Sequence, residues 1–528
     1  MVSLASPLSA QEALTASHLP IVLIETDGPI PDEPKVRARM RVVDNASGLN
    51  RATDPPSGYD GWVGIEVRGA TSQLFPKKQY ALETREASGE NRNASLLGMP
   101  SENDWILHAP YADKTLVRNV VAYRLARRMG RYASRTRFCE VVLNGEYQGV
   151  YVLLESIKRD RSRVDIARLR PDETSGDDLT GGYIVKVDKQ AGGEQGGWLS
   201  PFPPPYPHPR QVRWQFHDPR PSEVVPEQAA YIERVVTDFE RAVLSDDYED
   251  PARGFLPHVD LASFVDYVLH TEVTKNIDGY RASAYLHKDK DSRGGRLRAG
   301  PVWDFNLAMG NASFGGGGSH RGFQFDWDAR GDGEPIPFWW GRMVRSAPFR
   351  AALIPRWAEL RAGPLHPDSL DALVNEAVAE IGEARVRDLE RWGTEGRHVW
   401  GNAYVGEIYE DDVRYLKDYL RRRAAWLDRA LPGVDAPGYG PALALSRVSP
   451  SPASGEARAT LATGASDRVR VELLDALGRR VLLVFEGPVE AGVRDLRFSV
   501  AALPSGAYRL FASGIRGGVS RPLAVVRR

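Results

Sequence analysis

Apolar and polar positions alternate along much of the first third of the chain, and this period of two predicts β-strands. Strands are expected at 19–25, 35–43, 62–68, 77–84 and 182–188. Two further apolar runs, 138–143 and 147–154, flank an Asn-Gly pair, which is the strongest short signal for a hairpin. Helical spacing at 113–129, ending before a glycine, predicts one helix. This part is therefore expected to be rich in sheet.

The character of the chain changes after a segment rich in glycine and proline. Residues 192–209 predict an irregular surface segment, a linker or a lid, rather than a packed element. Beyond it the apolar residues recur at helical spacing, and the predicted helices span 226–244, 261–275, 338–360, 369–392 and 410–431. Four consecutive glycines at 315–318 lack the spacing of a phosphate-binding loop and predict a flexible loop.

The last part of the chain returns to short apolar runs separated by turn residues. They lie at 469–474, 481–485, 496–500, 507–512 and 523–526, a pattern typical of a small all-β, Ig-like sandwich. We therefore expect four units in this α+β chain. They are an N-terminal segment (1–18), a main domain (19–432), a linker (433–445) and a β-sandwich (446–528). The main domain divides into a sheet-rich lobe (19–190), a Gly/Pro-rich segment (191–210) and a mainly helical lobe (211–432).

Composition narrows the classes of function. The 528 residues carry 69 Lys and Arg against 70 Asp and Glu, and this near balance argues against a dedicated nucleic-acid binder. The sequence contains no apolar run long enough to span a membrane. Cys139 is the single cysteine, so an intrachain disulfide or a cysteine-based zinc site is excluded, and we expect it to be buried. Segment 1–18 could be the remnant of a secretory signal.

Two acids stand where apolar elements end. Asp278 follows a predicted helix, and Asp304 follows the apolar pair Val302-Trp303. Carboxylates placed in this way can meet, hold Mg²⁺ and orient a hydroxyl nucleophile, as phosphoryl transfer requires. The alternative is structural: Asp278 would cap a turn and Asp304 would pair with an arginine of the core.

An upstream hairpin supplies possible phosphate ligands. The turn between two predicted strands runs from Arg68 to Ser72 and contains a glycine, and Lys77 and Lys78 follow it. Free backbone N–H groups in a turn and a lysine on a strand can cradle nucleotide phosphates. A lysine pair on a strand is more often a solvated edge, and the pattern does not decide which lysine points inward.

Several long motifs occur in one order. They are Phe75-Pro-Lys-Lys-Gln-Tyr80, Leu97-Gly-Met-Pro100, Tyr111-Ala-Asp-Lys-Thr115, Leu143-Asn-Gly-Glu-Tyr147 and Trp303-Asp-Phe-Asn306. From about residue 19 to about residue 430 the chain thereby closely resembles the spore-coat protein H (CotH) kinase family. The resemblance implies an atypical, two-lobed protein-kinase fold that binds ATP with Mg²⁺, or alternatively Mn²⁺, and phosphorylates serine or threonine in protein substrates.

The resemblance implies roles for four residues near the two acids. Asp304 matches the metal-binding aspartate of the family, and Asp278 matches the acid at the catalytic position. Many relatives have asparagine where this chain has Ser283, and a second aspartate where it has Asn306. Ser283 and Asn306 remain oxygen donors to the metal, but the chain has lost one carboxylate.

Nucleotide-binding roles follow from the same resemblance. The turn at 68–72 would stand in for the glycine-rich loop, and Lys77 or Lys78 would neutralise the α- and β-phosphates. Glu155 lies in a segment similar to a hinge, where adenine would bond to the backbone. The candidate partner acids for the lysine are Glu83 and Glu155.

The C-terminal part resembles a different family. Pro450-Ser451-Pro452, the run 471–480 and the run 503–508 are similar to the C-terminal sorting domains of type IX secretion cargo. This resemblance implies the type IX machinery as a partner and a secreted or cell-surface location. The alternative is an ordinary accessory β-sandwich.

Three functions therefore remain open for the whole chain. The first is a secreted or surface protein kinase. The second is a catalytically weak nucleotide-binding or structural surface protein that uses the kinase fold as a scaffold. The third is a carbohydrate-associated module, for which the pair Trp339-Trp340 could stack on sugars, although such a pair is more often part of a core.

Overall fold

A computed structural model describes residues 14–189, 196–329, 333–433, 443–446, 448–463, 467–476, 478–490, 492–514 and 517–527. Residues 1–13 of the predicted N-terminal segment lie outside the described residues, as do 191–195 of the Gly/Pro-rich segment and 434–442 of the predicted linker. The chain combines sheets and helices, which confirms the predicted α+β class.

Seven strands of the first part close into a barrel in the order β1-β2-β3-β4-β5-β7-β6. They are β1 (Ile21–Thr26), β2 (Val36–Val43), β3 (Tyr59–Arg68), β4 (Gln79–Arg85), β5 (Asp104–His108), β6 (Thr136–Leu143) and β7 (Glu146–Glu155). All neighbours are antiparallel except β1 and β6, whose parallel pairing closes the barrel. Cys139 is buried in the apolar core of the barrel, as expected.

A second, five-stranded sheet has the order β12-β11-β8-β10-β9. Its strands are β8 (Tyr183–Val187), β9 (Gly197–Leu199), β10 (Arg213–Asp218), β11 (Ala284–Lys288) and β12 (Leu297–Ala299). Strand β9 falls within the segment predicted to be irregular and unpacked. That prediction is corrected there, because Trp198 of β9 is buried and stacks on Trp214 of β10 with ring centroids 6.1 Å apart.

The described helices pack around this sheet and one large apolar core. They are α1 (Arg118–Arg128), α2 (Gly176–Leu179), α3 (Pro226–Leu244), α4 (Leu261–Thr274), α5 (Phe338–Arg345), α6 (Ala347–Arg361), α7 (Pro367–Ile381), α8 (Ala384–Trp392) and α9 (Tyr409–Ala430). Trp339 and Trp340 are fully buried in that core and are therefore closed to a sugar. Among the described residues, no helix has both the length and the apolar character needed to cross a bilayer.

Three predicted helices have different limits, each for a local reason. The helix predicted at 338–360 is two helices, because Ser346 is extended and its side chain caps α6 by accepting a bond from the Phe349 N–H. The helix predicted at 369–392 breaks at Gly382, where φ is +52°. Helix α1 starts at Arg118 rather than at 113, because the Asp113 carboxylate accepts the N–H groups of Thr115 and Arg118.

The C-terminal part forms two sheets that share one apolar core. One sheet has the order β13-β14-β17 and the other β16-β15-β18-β19. The strands are β13 (Leu443–Leu445), β14 (Glu456–Thr463), β15 (Asp467–Leu474), β16 (Arg480–Val489), β17 (Gly492–Ser499), β18 (Gly506–Gly514) and β19 (Gly517–Val525). The predicted strands are present, and β13 and β14 are additional ones.

Candidate active site

A cavity of about 830 Å³ lies where the barrel, the second sheet and two loops meet. Strands β3, β4 and β5 contribute one wall, and strands β8 and β10 contribute another. The loop after α4 supplies Asp278 and Ser283, and the loop after β12 supplies Trp303, Asp304 and Asn306. The lining is mainly polar and carries both signs of charge, which suits a charged ligand.

Asp304 is presented to this cavity by an unusual backbone conformation. Its φ is +59°, in the left-handed region that an aspartate rarely adopts. Hydrogen bonds hold the residue there: its N–H donates to the Tyr123 hydroxyl over 3.2 Å, and its C=O accepts from the Asn276 amide over 2.9 Å. Such strain persists only where surrounding structure fixes it, and it is often found at functional sites.

A chain of polar contacts links this loop to the barrel. The Phe305 N–H donates to Asn119 Oδ1 over 2.5 Å, and Asn119 Nδ2 donates to His108 Nε2 over 2.9 Å. His108 Nδ1 lies 2.8 Å from Gln79 Oε1. Burial lowers the pKa of His108 to about 3, so its ring is neutral and can donate at Nδ1 while it accepts at Nε2. The position of Asp304 is thus fixed from helix α1 and from strands β4 and β5.

Opposing charges act on the Asp304 carboxyl group. Crowding by surrounding protein raises its pKa to about 6, even though the side chain is open to the cavity. Lys189 and Arg68 act in the opposite direction, while Asp278 and Asp188 raise the pKa further. Three carboxylates therefore repel one another here, and a bound cation would relieve that repulsion.

Asp278 lies in the turn after α4, which ends at Thr274. One carboxylate oxygen is 2.7 Å from Lys189 Nζ, and the other is 3.4 Å from Arg281 Nε. The side chain thus forms ion pairs across the cavity wall instead of capping the turn. Asp278 is therefore held at the cavity by two cationic side chains.

Strand β8 ends in a charged run at the cavity. Lys186 Nζ lies 2.9 Å from Asp188 Oδ2, and the Ser283 N–H donates to Asp188 Oδ1 over 3.1 Å. Although burial opposes it, Lys186 and the N–H groups of Lys189 and Ser283 hold the pKa of Asp188 below its usual value. Asp188 therefore stays ionised and is fixed beside Ser283.

Seven of the residues selected from the sequence line this one cavity. They are Arg68, Ser72, Glu83, Asp278, Ser283, Asp304 and Asn306. The Arg68 guanidinium lies 5.7 Å from the centre of the Trp303 ring, next to Asp304 in the chain. The alternative pairing of Asp304 with a core arginine is not observed, since no ion pair within 4 Å joins them in the described part of the chain.

The other three residues selected from the sequence, Lys77, Lys78 and Glu155, do not line the cavity. Lys77 is fully buried elsewhere, where its ammonium group bonds to Asp388 and to the Val150 carbonyl. Lys78 donates to the Gln73 carbonyl over 2.6 Å. The Glu155 carboxylate is also buried, and it accepts from Arg135 over 2.8 Å. Lys77 and Lys78 therefore have partners outside the cavity, which corrects the expected phosphate contacts of their side chains. The hinge expected around Glu155 concerns the backbone, and it stays a prediction.

Sequence reasoning missed two cations and one acid of the cavity lining, all at the end of strand β8. Lys186, Asp188 and Lys189 all line the cavity. The signal was present, because these residues end a strand that the alternating pattern predicts, as Asp304 does after its own apolar run. The pattern alone could not show that strand β8 ends beside the turn that carries Asp278.

The cavity carries oxygen donors that a metal ion could use. No group of three or more His, Cys, Asp or Glu residues is arranged to hold a metal within the described ranges. Mg²⁺ usually takes only one or two protein carboxylates and completes its shell with water and phosphate oxygens. Asp304, with Asp188, Asn306 and the Ser283 hydroxyl, offers oxygen donors of that kind, so the residues fit Mg²⁺ held jointly with a phosphate ligand.

Comparison with known proteins assigns the family. A search of curated proteins found no match. The family profile described as CotH kinase protein matches residues 65–427, which is more than two thirds of the chain and includes every cavity residue from Arg68 to Trp400 named here. The chain therefore belongs to the CotH kinase family.

Proposed function

We propose that this protein is an ATP-dependent kinase that phosphorylates serine or threonine hydroxyl groups of a polypeptide. The observation that carries the proposal is the meeting of Asp278 and Asp304, 26 positions apart in the sequence, at one cavity with Arg68, Lys186 and Lys189. Carboxylates next to several cations are what phosphoryl transfer uses, because charge on the phosphate oxygens has to be held in place.

Each group has a chemical role in this proposal. Asp278 orients the acceptor hydroxyl and takes its proton as the oxygen attacks the γ-phosphorus. The bond between the γ-phosphorus and the β,γ-bridging oxygen breaks, and ADP leaves with the electron pair. Arg68, Lys186 and Lys189 bind phosphate oxygens. Asp304 and Asn306 would hold Mg²⁺, or Mn²⁺, which neutralises charge on the phosphates.

Part of the cavity lining suits the nucleoside. Phe216, His217 and Trp303 offer flat ring surfaces there, and Leu154 adds an aliphatic side chain. Trp303 already stacks on Tyr123, with ring centroids 5.9 Å apart, so its position is fixed. Burial lowers the pKa of His217 to about 4, which keeps its ring neutral beside a base.

The test is incubation of purified protein with γ-labelled ATP, Mg²⁺ or Mn²⁺ and a serine-rich acceptor, with Asp304→Ala and Asp278→Asn in parallel. We expect label on protein from the wild type and loss of about 10³-fold or more in both variants. Lys290→Met is a matched control, because Lys290 pairs with Asp178 at an exposed site. ATP binding without transfer by the wild type would favour the scaffold function instead.

We also propose that the protein is exported and that the C-terminal unit is its sorting signal for the type IX machinery. This rests on the sequence resemblance of 446–528, together with the separate apolar core of that unit. A reporter fused to 446–528 should appear outside cells of a bacterium that has the type IX system. Retention of the fusion in the periplasm would contradict the proposal.

A further inference from the structure

The cavity continues outward onto an exposed aromatic surface. Phe75, Phe314 and Trp400, here called the aromatic platform, all line the cavity. Trp400 has ring centroids 5.3 Å from Phe314 and 6.4 Å from Phe75, so the three rings form one patch. Trp400 is 52% exposed, and Leu74, next to Phe75 in the chain, is 83% exposed.

The platform adjoins the proposed site of phosphate transfer. Leu307, three residues after Asp304, also lines the cavity. A methyl group of Leu307 lies 3.3 Å from where a Cβ on Gly401 would be, so Leu307 packs against the chain segment that carries Trp400. The loop that carries Asp304 is thus in contact with the segment that carries the platform.

Buried polar bonds hold the exposed rings in place. Asn402 is buried, and its side-chain amide donates to the Ala112 carbonyl over 2.7 Å and to Asn311 Oδ1 over 2.9 Å. The Gly401 carbonyl accepts from the Ser313 N–H over 2.8 Å. Trp400 is thus exposed on a fixed segment rather than on a loose loop.

Support for Phe75 comes from the opposite side of the platform. Phe75 packs on Tyr111 with centroids 5.2 Å apart, and Tyr111 meets Trp392 edge to face at 6.0 Å. Trp392 Nε1 donates to the Gln148 carbonyl over 3.0 Å. A large apolar surface that is both exposed and rigid is typical of a binding site.

The aromatic platform and the charged part of the cavity differ in chemistry, and this difference indicates which ligand each of them binds. The platform and its neighbours in the cavity lining, Ala112 and Leu307, are uncharged. Arg68, Lys186 and Lys189 lie instead beside Trp303 or at the end of strand β8. In-line transfer places the leaving and attacking oxygens on opposite sides of the phosphorus, so donor and acceptor enter from different ends. A small nucleotide suits the enclosed, charged end, whereas a polypeptide that continues past the site needs an open surface.

We propose that the aromatic platform, with Leu74, binds a large apolar side chain of the acceptor polypeptide near the serine or threonine that is phosphorylated. The platform would thereby select acceptors that carry Leu, Ile, Met or Phe close to the acceptor hydroxyl. This inference rests on the proposed kinase function and adds the substrate class to it.

Two measurements test the proposal separately from catalysis. The first is fluorescence anisotropy of a labelled serine-centred peptide library, in which one flanking position at a time is fixed as each amino acid, in the presence of a non-hydrolysable ATP analogue and Mg²⁺. The second is phosphorylation of the same library. We expect one flanking position to favour large apolar residues, and Trp400→Ala to weaken binding of those peptides about tenfold.

Matched variants distinguish a docking surface from general damage. Leu74→Ala should also weaken peptide binding, whereas Leu244→Ala, which truncates an exposed leucine at the end of α3, should not. Affinity for the ATP analogue should stay unchanged in Trp400→Ala. Peptide binding without phosphorylation would contradict the proposed kinase function but support the proposed binding role of the platform. Absence of an apolar preference, a preference that survives Trp400→Ala, or a loss of nucleotide affinity in that variant would overturn the proposal.

Discussion

Lys77 and Asp388 form an ion pair that is closed to solvent and joins the barrel to helix α8. The Lys77 ammonium group also donates to the Val150 carbonyl over 2.7 Å, and Asp388 Oδ1 accepts the Val150 N–H over 2.7 Å. Burial lowers the pKa of Lys77 and raises that of Asp388, and each partner counteracts the shift of the other. The pair holds the segment that carries Phe75 against the helices, so its role is structural.

Removing one member of this pair should destabilise the fold strongly. Lys77→Met leaves a buried carboxylate unpaired, and we expect a loss of about 3–5 kcal/mol in the free energy of unfolding. The double variant Lys77→Met/Asp388→Leu removes both charges and should recover much of that loss. Urea denaturation of the wild type and the variants measures both effects.

The same double variant tests the role that the sequence suggested for Lys77. Because Lys77 lies outside the cavity, the folded double variant should bind ATP with the affinity of the wild type. A large loss of ATP affinity, without loss of adenosine affinity, would instead show that Lys77 binds the phosphates.

Gly149 should be intolerant of a side chain. Its φ is +92°, and a Cβ there would overlap Asp388 Oδ1. Gly145 provides the control, because its φ is +81° and no atom lies within 4 Å of its Cβ position. Gly149→Ala should therefore lower the free energy of unfolding by about 2 kcal/mol more than Gly145→Ala, as measured by urea denaturation. Equal costs would show that only the backbone conformation matters.

Substitution of Lys186 should weaken binding of the ATP phosphates but not binding of the nucleoside. Its ammonium group lies 2.9 Å from Asp188 at the cavity. Lys186→Met should weaken ATP binding about tenfold, since it removes one charged contact, and should leave adenosine binding unchanged. Isothermal titration with both ligands measures the difference. An equal loss for adenosine would mean that the variant disturbs the cavity as a whole.

Glu240 should make stability depend on pH. Burial raises its pKa from 4.5 to about 7, against hydrogen bonds from Ser200 and Trp214. The stability that protonation supplies is fully present below pH 4.5 and is lost as the pH rises through 7. The side chain of the Glu240→Gln variant does not titrate. The free energy of unfolding of this variant should therefore exceed that of the wild type by up to about 3 kcal/mol above pH 8. Thermal melts from pH 5 to pH 9 should show this difference vanish at low pH.

Local pattern was enough for helix α4, which precedes Asp278, and for strand β8, which precedes Asp188. Helix α4 and strand β8 lie within one or two residues of their predicted bounds, and Asp278 and Asp304 follow apolar runs as expected. Local pattern did not predict the direction of a side chain where a residue distant in the sequence determines it. Lys77 and Lys78 look alike in the sequence, and only the position of Asp388, 311 residues after Lys77, shows where Lys77 points.

The sequence by itself determined the α+β class, the family and the two acids, because periodicity and local motifs are properties of neighbouring residues. Tertiary structure decided the closure of the barrel through the parallel pairing of β1 and β6, which lie more than 100 residues apart. It also placed Lys186, Asp188 and Lys189 beside Asp278 and Asp304. Such contacts depend on how elements pack, and packing is not encoded in any short window of sequence.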